Sequence, residues 1–518
     1  MIRIPNIKCP INGDIKIIVY QLLGENLPFR IFKKSIDARK KTDVHFVYTI
    51  DVESENEEQL LKKIKGASVL YEKPYVFPKG ILPKEPVVIA GSGPAGLMCA
   101  LMLVRNGYRV ILLERGKCVE ERKKDVECFW NGGAFQPESN VQFGEGGAGT
   151  FSDGKLNTGI KDARIRCVLE EFYRHGAPEE ILYQAKPHVG TDHLSNMVRE
   201  IRREIESLGG EVRFNSHLDG LEIQDNKLYG VWVSDSKNGD NKYKISTQHL
   251  VLAIGHSARD TFRMLKARGL NMERKSFSVG ARIEHLQESI NRTQYGKFAK
   301  QLGAADYKLA VHLKNGRGVY TFCMCPGGVV VASASEEGGI VTNGMSYFAR
   351  DGKNANSAVL VNVIPEDFPG DDVLAGIEFQ RAIEQRAYGI SNSYCAPAQR
   401  VGDFLNRDTK KDEVFVEPTY RPGVVWCDLK EIFPEYIIAS LQEGIKEMDK
   451  RLPGFASDDA ILTAPETRSS SPVRILRDSK MQSNIQGIYP CGEGAGYAGG
   501  ITSAAVDGIR IAEAIAHG

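Results

Sequence analysis

Three glycines at fixed spacing, Gly91, Gly93 and Gly96, follow the apolar run Val87–Ala90 as a G-x-G-x-x-G motif. At a strand-to-helix turn, such a motif lets the backbone approach a pyrophosphate and lets the helix pack closely on the strand. Glu114 ends the next apolar run, where a carboxylate can accept hydrogen bonds from an adenosine ribose. The spacing predicts a dinucleotide-binding βαβ unit. A glycine-rich turn that binds no ligand is the alternative.

A second glycine-rich turn lies near the end of the chain. An apolar strand there stops at Gly492 and Glu493, and a closing helix is predicted from about residue 502 to residue 517. Glu493 can accept a hydrogen bond from a ribitol or ribose hydroxyl. The helix N-terminus at Gly500 and Ile501 would direct its amides at the N1 and O2 edge of a flavin. This order of strand, acidic turn and helix is typical of the second half of an FAD site.

Between these turns, residues 131–159 hold eight glycines and show almost no helical or strand periodicity. Long segments of this kind are often functional, and clustered glycines let the backbone lie against a flat ligand. The interleaved Phe143, Phe151 and Leu156 argue against a disordered linker. The residues predicted to bind the cofactor are glycines, their neighbours and charged strand ends: Gly91, Gly93, Pro94, Ala95, Gly96, Glu114, Arg115, Gly147, Gly149, Gly255, Gly492, Glu493, Gly500 and Ile501.

Three side chains, Lys155, His188 and Arg468, are predicted to be catalytic. Lys155 follows the glycine-rich loop and could place a cation near flavin N5 or a substrate carboxylate, although a solvated lysine fits equally well. His188 could be a general acid near neutral pH, with a structural histidine as the alternative. Arg468 and Arg474 flank a serine-rich turn and could bind an anionic substrate or the flavin edge, with plain ion pairing as the alternative.

The ten cysteines include no C-x-x-C pair and no Cys/His cluster at the spacing of a zinc or iron-sulfur site, so we expect no metal. They are typical of reduced thiols in an intracellular protein. The lack of a redox pair beside the flavin motif also argues against a disulfide reductase of the glutathione reductase kind. In Cys323-Met324-Cys325, strand alternation would put both thiols on one face, and a structural role is favoured for both.

The elements that position these residues predict an α/β protein of several domains. Residues 1–82 are predicted to form a small α+β domain, which we expect to be ferredoxin-like. Residues 83–275 and 465–518 are predicted to form the two parts of a Rossmann-type FAD-binding domain. Residues 276–464 change to strands with polar connections and hold no second G-x-G-x-x-G unit. We therefore expect an inserted α/β capping or substrate domain there, and no separate nicotinamide-binding domain.

The composition and charge of the chain argue against some classes of function. The chain has 518 residues, of which 42% are hydrophobic and 26% charged, and its net charge of +1 gives no overall attraction to nucleic acid or to an anionic membrane. The N-terminus lacks the apolar core of a signal peptide, and no apolar run could span a bilayer, so we expect a cytoplasmic protein with no membrane partner. We interpret the basic residues between positions 30 and 41 as a solvated hairpin.

Six motifs run from the first domain to the last helix: residues 36–41 (IDARKK), 87–96 (VVIAGSGPAG), 143–156 (FGEGGAGTFSDGKL), 187–192 (PHVGTD), 465–474 (PETRSSSPVR) and 489–508. In these motifs the chain resembles a bacterial family of uncharacterised FAD-dependent dehydrogenases within the single-Rossmann flavoprotein superfamily. The resemblance covers nearly the whole chain. It implies FAD and a role in electron transfer, and it implies no particular substrate. Glu493 departs from the wider superfamily, in which many members carry Asp at this place.

These observations predict an FAD-dependent oxidoreductase in which NADH, NADPH or an organic donor passes hydride to flavin N5. The flavin would then reduce a small-molecule acceptor. One alternative is a flavin protein that acts on RNA, as in flavin-dependent tRNA modification. The net charge and the lack of a C-terminal helical tRNA-binding domain count against it. A flavin-binding protein that senses or stores flavin without turnover is the other alternative.

Overall fold

The computed structural model describes residues 1–71, 74–239, 241–407 and 415–518. The first unit contains β1 (Ile2–Pro10), α1 (Ile15–Leu23), β2 (Phe29–Asp37), β3 (His45–Val52), α2 (Glu57–Lys63) and β4 (Ser68–Val69). Its strands form an antiparallel sheet in the order β2-β3-β1-β4. Ile4 and Ile50 of the sheet are buried with Val19 of α1 and Leu60 of α2, so the two helices share one small core with the sheet.

The second unit begins after residue 83. Its elements are β5 (Val87–Ala90), α3 (Pro94–Arg105), β6 (Val110–Leu113), α4 (Val119–Trp130), α5 (Arg164–Arg174), α6 (Thr191–Ser207), β7 (Glu211–Arg213), β8 (Ser216–Gln224), β9 (Lys227–Asp235), β10 (Asn241–Ser246), β11 (His249–Leu252) and α7 (Arg259–Ala267). The sequence pattern predicts helices at about residues 165–175 and 193–208, where the structure has α5 and α6. It also predicts a strand from His249 to Ser257, and the observed strand β11 ends at Leu252.

The rest of the chain contains β12 (Met272–Arg274), β13 (Phe277–Leu286), α8 (Gln287–Tyr295), β14 (Ala310–His312), β15 (Gly318–Cys325), β16 (Val329–Ala332), β17 (Thr342–Met345), β18 (Asn354–Val363), α9 (Ala375–Ser391), β19 (Ala396–Arg400), α10 (Val401–Phe404), β20 (Val424–Trp426), α11 (Glu435–Asp449), β21 (Ile461–Glu466), β22 (Val473–Ile475), β23 (Ile488–Pro490) and α12 (Ile501–His517). The closing helix thus begins one residue before its predicted start.

A five-stranded parallel sheet organises the nucleotide motif. Its order is β23-β11-β5-β6-β7, so the last strand of the chain joins the sheet beside β11. Every residue of β5 and β6 is buried, because α3 and α12 cover one face of the parallel sheet, and the β8-β9-β10 sheet covers the other face together with α7. Met98 and Leu101 of α3 lie in the same core as Val506 and Ile509 of α12. The two helices that follow β5 and β23 are therefore neighbours.

A second large sheet is formed by the segment that lies between β11 and β23 in the chain. Its order is β14-β15-β18-β13-β21-β19-β20, and each pairing is antiparallel except that between β19 and β20. Val279 and Val359 of this sheet share a core with Leu441 and Ile445 of α11. This core is separate from that of the parallel sheet, so each sheet has its own hydrophobic support.

The glycine-rich loop of residues 131–159 is ordered by one buried arginine of α4. The guanidinium of Arg122 donates to five main-chain carbonyls: Nε to Asn140 at 2.8 Å, Nη1 to Gly144 at 3.2 Å and Glu145 at 2.6 Å, and Nη2 to Val141 at 2.9 Å and Gly147 at 3.0 Å. Burial lowers the pKa of Arg122 to about 10, against the charges of Glu114 and Glu145. The five carbonyls thus replace the solvation that this cation has lost.

Gly144 shows why this loop requires glycine. Its φ is +122°, and a Cβ at this position would lie 2.3 Å from Cδ of Arg122. The loop peptide can approach the arginine closely because no side chain stands between them.

We expect Arg122→Lys to lower the free energy of unfolding by about 3 kcal/mol, because an ammonium group has three donors and leaves loop carbonyls unpaired. Urea unfolding followed by circular dichroism measures the change. Arg292→Lys is the matched control, because Arg292 is paired with Glu288 at 3.0 Å on the exposed surface of α8 and should change stability by less than about 0.5 kcal/mol. Equal effects of the two substitutions would contradict the role assigned to Arg122.

Candidate functional site

A cavity of about 520 Å³ lies between the carboxyl ends of the parallel strands and the seven-stranded sheet. The segments that follow β5, β6, β11 and β23 form one wall, and β15, β17 and β21 contribute to the other. The carboxyl ends of parallel strands are the usual place for a ligand in an open α/β sheet. Of the predicted site residues, all but Gly96 and His188 appear among the described residues that line this cavity.

The G-x-G-x-x-G turn presents an open main chain to the cavity. A Cβ at Gly93 would meet no atom within 4 Å, and Gly93 is the residue that precedes the first turn of α3. The amides at the start of α3 therefore face the cavity, where a helix N-terminus favours an anion. Gly96 serves packing instead, because a Cβ there would lie 1.9 Å from the carbonyl oxygen of Gly91. This glycine lets α3 pack on the turn.

Glu114 connects three turns of the main chain. Its Oε2 accepts hydrogen bonds from the amide of Ser92 at 3.0 Å and from the Ser92 hydroxyl at 2.6 Å. Its Oε1 accepts from the amides of Gly116 at 2.9 Å and Gly144 at 3.0 Å. A carboxylate offers about four lone-pair positions, so this predicted ribose acceptor is already engaged by the protein. The Ser92 hydroxyl is the donor that can rotate away.

Arg115 follows Glu114 in the chain, and two carboxylates compensate its charge. Its guanidinium forms paired hydrogen bonds with Glu138 at 2.8 Å and with Asp260 at 2.9 Å, and it stacks over the Phe143 ring at 4.1 Å. These contacts hold the guanidinium plane and the ring together at this end of the cavity.

The glycine-rich loop lies across the starts of both helices. A Cβ at Gly147 would lie 3.3 Å from Cα of Gly93, and a Cβ at Gly149 would lie 3.3 Å from Cγ1 of Ile501. The loop thus brings the N-termini of α3 and α12 to one cavity. At the next turn, the amide of Gly492 donates to Asp507 of α12 at 2.8 Å, which fixes this turn against the helix.

Glu493 is an acid with an altered proton affinity. Burial raises its pKa to about 7, against the opposing charge of Lys275. Oε1 of Glu493 lies 3.6 Å from Nε2 of His256, but burial together with Arg468 lowers the pKa of His256 to about 3. His256 is therefore neutral, and among the described residues Glu493 has no cationic hydrogen-bond partner.

Lys155 lines the cavity, but its ammonium group is held by the protein. Nζ donates to Asp153 at 2.9 Å and to the carbonyl oxygen of Met324. Arg350 binds the same carboxylate, with Nε 2.9 Å from Oδ1 of Asp153. Burial opposes the charge of Lys155, yet Asp153 raises the pKa of the lysine. Lys155 is thus a fixed cation that links the glycine-rich loop to β15.

Arg468 is also a fixed cation in the cavity wall. Its Nε and Nη2 donate to Glu384 at 3.2 and 3.0 Å, and its Nη1 donates to the Ser335 hydroxyl. Burial opposes ionisation of Glu384, but Arg259 and Arg468 lower its pKa to about 2. The contacts of Arg468 with Glu384 are those of an ion pair, which is the alternative considered for this arginine in the sequence. Arg474, by contrast, is paired with Glu273 at 3.0 Å and stacks on the Tyr497 ring.

His188 does not appear among the described residues that line the cavity. Its ring stacks on Phe348 with centroids 5.0 Å apart, and its Nε2 is 3.0 Å from the carbonyl oxygen of Phe348. Burial and the charge of Arg350 lower the pKa of His188. These contacts favour the structural alternative for this histidine, and its role as a general acid stays a prediction.

Several lining residues were missed by the sequence analysis. Cys323 and Glu466 reach the cavity from β15 and β21 of the second sheet, and Asn343 reaches it from β17, which pairs with β16. The regular strand alternation expected for Cys323 and Cys325 is interrupted, because β15 contains a bulge between Phe322 and Cys325. No local sequence signal marks these positions; only the close spacing of the two cysteines drew attention to one of them.

Known families match most of the chain. Residues 85–288 match a family described as pyridine nucleotide-disulphide oxidoreductase, and residues 276–469 match one described as FAD-dependent protein, C-terminal domain-like. Residues 1–53 match a domain of unknown function. A protein of Clostridium beijerinckii described as uncharacterized is 48% identical and aligns with 99% of this chain and 98% of its own length. The chain belongs to a family of FAD-dependent oxidoreductases.

Other proteins with a lower similarity to this chain have different described activities. Para-nitrophenol 4-monooxygenase of a Pseudomonas species is 25% identical over 35% of this chain and 41% of that enzyme. A flavoprotein/dehydrogenase from Cytophaga hutchinsonii is 13% identical with a TM-score of 0.34, over 83% of this chain and 76% of that one. The flavin-dependent halogenase CmlS is 12% identical with a TM-score of 0.39, over 84% and 59%. None of these carries its activity over to this chain.

The residues of the cavity fit FAD. Two helix N-termini supply amides for anionic groups, the open main chain at Gly93 leaves room for a pyrophosphate, and Glu114 and Glu493 supply oxygens for hydroxyl groups. The described residues hold no group of three His, Cys, Asp or Glu side chains that could bind a metal ion. In the parts of the chain described above, no helix is long and apolar enough to cross a membrane.

The raised pKa of Glu493 predicts a pH-dependent loss of stability in FAD-free protein. Below about pH 4.5 the carboxyl is protonated in both states, whereas above about pH 7 the folded protein must hold a buried charge. We expect Glu493→Gln to match the parent at pH 4.5 and to be more stable at pH 8 by about 1 to 2 kcal/mol. Urea unfolding at both pH values measures this, with Asp371→Asn at an exposed position as the control. A difference that does not change with pH would contradict the assignment.

Proposed function

We propose that the protein uses FAD to transfer hydride between a reduced pyridine nucleotide and a small-molecule acceptor. The observation that carries the proposal is the single cavity onto which the two predicted halves of the FAD site open. When bound, FAD supplies two-electron chemistry at N5 of its isoalloxazine ring. The protein supplies binding, orientation and fixed charge.

The adenosine end of the cofactor would lie at Glu114 and Arg115. We propose that the ribose displaces the Ser92 hydroxyl from Glu114, because a hydroxyl can rotate without disturbing the main chain. The Phe143 ring and the Arg115 guanidinium offer flat surfaces for the adenine. Gly93 and the amides of α3 would then bind the pyrophosphate.

The flavin end would lie between the start of α12 and the second sheet. The amides at Gly500 and Ile501 would stabilise negative charge at the N1 and O2 edge, and Glu493 would accept from a ribityl hydroxyl. Lys155 and Arg468 are held by Asp153 and Glu384, so they keep their places whether or not a ligand is bound. We propose that these two cations orient an anionic group of the substrate.

We propose that the chain is divided into the predicted segments 1–82, 83–275, 276–464 and 465–518, and that each of these segments has its own role in the protein. The sheet order β2-β3-β1-β4 and the order of elements support a ferredoxin-like N-terminal domain. The seven-stranded sheet closes the cavity opposite the parallel strands, which supports a capping role for residues 276–464. The basic N-terminal hairpin gives no support to an RNA-directed function, because Arg39 is bound by Asp37 at 2.6 Å.

The purified protein is expected to be yellow and to release FAD, and not FMN, on denaturation. Glu114 and the Gly91 to Gly96 turn would hold the ribose and pyrophosphate that FMN lacks. Anaerobic addition of NADH or NADPH should bleach the flavin absorbance. Chromatography of the released flavin and absorbance spectra test the two steps. Release of FMN, or no flavin even after reconstitution, would contradict the cofactor, and a flavin that neither nucleotide bleaches would contradict the donor.

We expect Gly93→Val to fold normally and to lose FAD. The φ of Gly93 is −70°, which any residue can adopt, and its Cβ would point into the open cavity. A valine there would fill the space of the pyrophosphate. Gly389→Val is the matched control, because Gly389 of α9 also has no atom near its Cβ position but lies outside the cavity lining. Flavin absorbance per protein and circular dichroism measure both effects, and normal FAD content in Gly93→Val would overturn the pyrophosphate site.

A further inference from the structure

The end of β15 has an irregular main chain at the cavity. Phe322 pairs with Ala358, but Cys325 pairs with Asn356, so β15 carries one extra residue relative to β18. Cys323 lies in this bulge with a φ of +43°, a left-handed conformation that residues other than glycine seldom adopt. Bulges redirect side chains, and here the redirected residue is Cys323, which lines the cavity. Cys325 is fully buried behind it.

The two thiols are adjacent. The thiol of Cys325 donates a hydrogen bond to the carbonyl oxygen of Cys323 at 3.2 Å, so the Cys325 sulfur is folded back against Cys323 within the bulge. Neither cysteine forms a disulfide in this structure. Two cysteines that lie this close within one bulge can be joined by a disulfide after a modest movement of the chain.

Two cations hold this segment. Nη1 of Arg282 donates to the carbonyl oxygen of Cys323 at 3.1 Å and lies 3.7 Å from Sγ of Cys325. Nζ of Lys155 donates to the carbonyl oxygen of Met324, the residue between the two cysteines. Both cations are therefore placed to stabilise negative charge on sulfur.

Two carboxylates face the same thiols. Glu466 is bound by Arg282, with Nε 2.7 Å from Oε2, so most of its charge is compensated. Glu493 belongs to the opposite wall of the cavity, and Cys323 contributes to the raised pKa of Glu493. The hydrogen bond from Cys325 lowers the pKa of Cys323 to about 6 against burial, with Arg282 and Lys155 acting in the same direction. Burial and the neighbouring Cys323 raise the pKa of Cys325.

We propose that Cys323 and Cys325 form a redox-active dithiol that reduces small disulfides which enter the cavity. Cys323 is the accessible nucleophile, and Cys325 is the buried resolving thiol. This assigns a second two-electron centre to the protein and a substrate class, disulfides, that the flavin site alone does not specify.

The exchange balances without any further reagent. The Cys323 thiolate attacks one sulfur of R–S–S–R, forms a mixed disulfide and releases RS⁻. RS⁻ takes the proton of the Cys325 thiol, and Sγ of Cys325 attacks Sγ of Cys323 and releases the second RS⁻. The pair is oxidised by two electrons to a Cys323–Cys325 disulfide, and R–S–S–R is reduced to one RSH and one RS⁻. Reduced flavin, on the function proposed above, would return the two electrons.

Peptide mass spectrometry tests the pair directly. Trypsin should release residues 318–350 as one peptide that contains Cys323 and Cys325 and no other cysteine. After incubation of the full protein with glutathione disulfide, we expect this peptide to lose two hydrogens and to regain them with dithiothreitol. Cys325→Ser should instead stop at a stable glutathione adduct on Cys323. An unchanged peptide, or a stable adduct in the parent protein, would overturn the proposal.

The rate of alkylation distinguishes a nucleophile from a structural thiol. Iodoacetamide should modify Cys323 at pH 7 about tenfold faster, or more, than Cys427, because burial raises the pKa of Cys427 to about 11. The pH profile for Cys323 should have a midpoint near 6, and Lys155→Met should shift it upward. Equal rates for the two cysteines would overturn the nucleophile. If Cys323→Ser fails to fold, Cys323→Gly serves as the thiol-free variant, because glycine adopts a positive φ freely.

Reductive titration links the pair to the flavin and separates the two proposals. Anaerobic titration with dithionite measures the reducing equivalents that the protein consumes per flavin. Parent protein that has been oxidised with glutathione disulfide should consume twice as many equivalents as the Cys325→Ser variant from which the glutathione adduct has been removed. Equal consumption would overturn the pair. The peptide measurement does not depend on FAD, so a yellow protein that forms no disulfide overturns this inference alone. A colourless protein that forms the disulfide overturns only the cofactor proposal.

Discussion

The main chain of one residue, Gly144, lies between two buried charges of opposite sign, and the order of the cavity depends on this arrangement. Glu114 accepts from the Gly144 amide at 3.0 Å, and Arg122 donates to the Gly144 carbonyl at 3.2 Å. A loop without helix or strand has no partners of its own for its buried polar groups, so charged side chains must provide them. Glu114 directly follows β6 and Arg122 lies in α4, and both elements are fixed by the parallel sheet and its core. The loop that faces the ligand is therefore as firmly placed as the sheet.

The cations around the cavity follow the same rule. Lys155, Arg350 and Arg468 each have a carboxylate partner whose side chain is almost fully buried, so none of them depends on a ligand for its position. Such pairs add little net stability, because desolvation offsets much of their attraction. Their benefit is in geometry: charge that is already in place needs no reorganisation when a reaction changes the charge of a bound group.

The sequence was sufficient to predict those cavity residues whose positions depend on their neighbours in the chain. The turn from Gly91 to Gly96, Glu114 and the Gly492 to Ile501 turn could be predicted, because each lies at the end of a short buried strand with a recognisable pattern. Residues whose positions depend on pairing between distant segments of the chain could not be predicted. Glu466 reaches the cavity because β21 pairs within the second sheet, and Asn343 reaches it because the β16–β17 pair packs against that sheet. The bulge at Cys323 depends on the register of β15 with β18. The contact between His188 and the ring of Phe348 could not be predicted either, because Phe348 packs against it from a loop far away in the sequence.

The position of β23 also constrains how the chain acquires its structure. This strand pairs only with β11 in the parallel sheet, and the whole seven-stranded sheet is made from the chain between them. Contacts between such distant segments form late, because the intervening chain must first become compact. During synthesis β11 therefore keeps an unpaired edge, bordered by Leu250 and Leu252, until the last segment emerges. An exposed apolar edge of this kind can pair with another chain, so the interval before β23 docks is the period in which this protein is most exposed to aggregation.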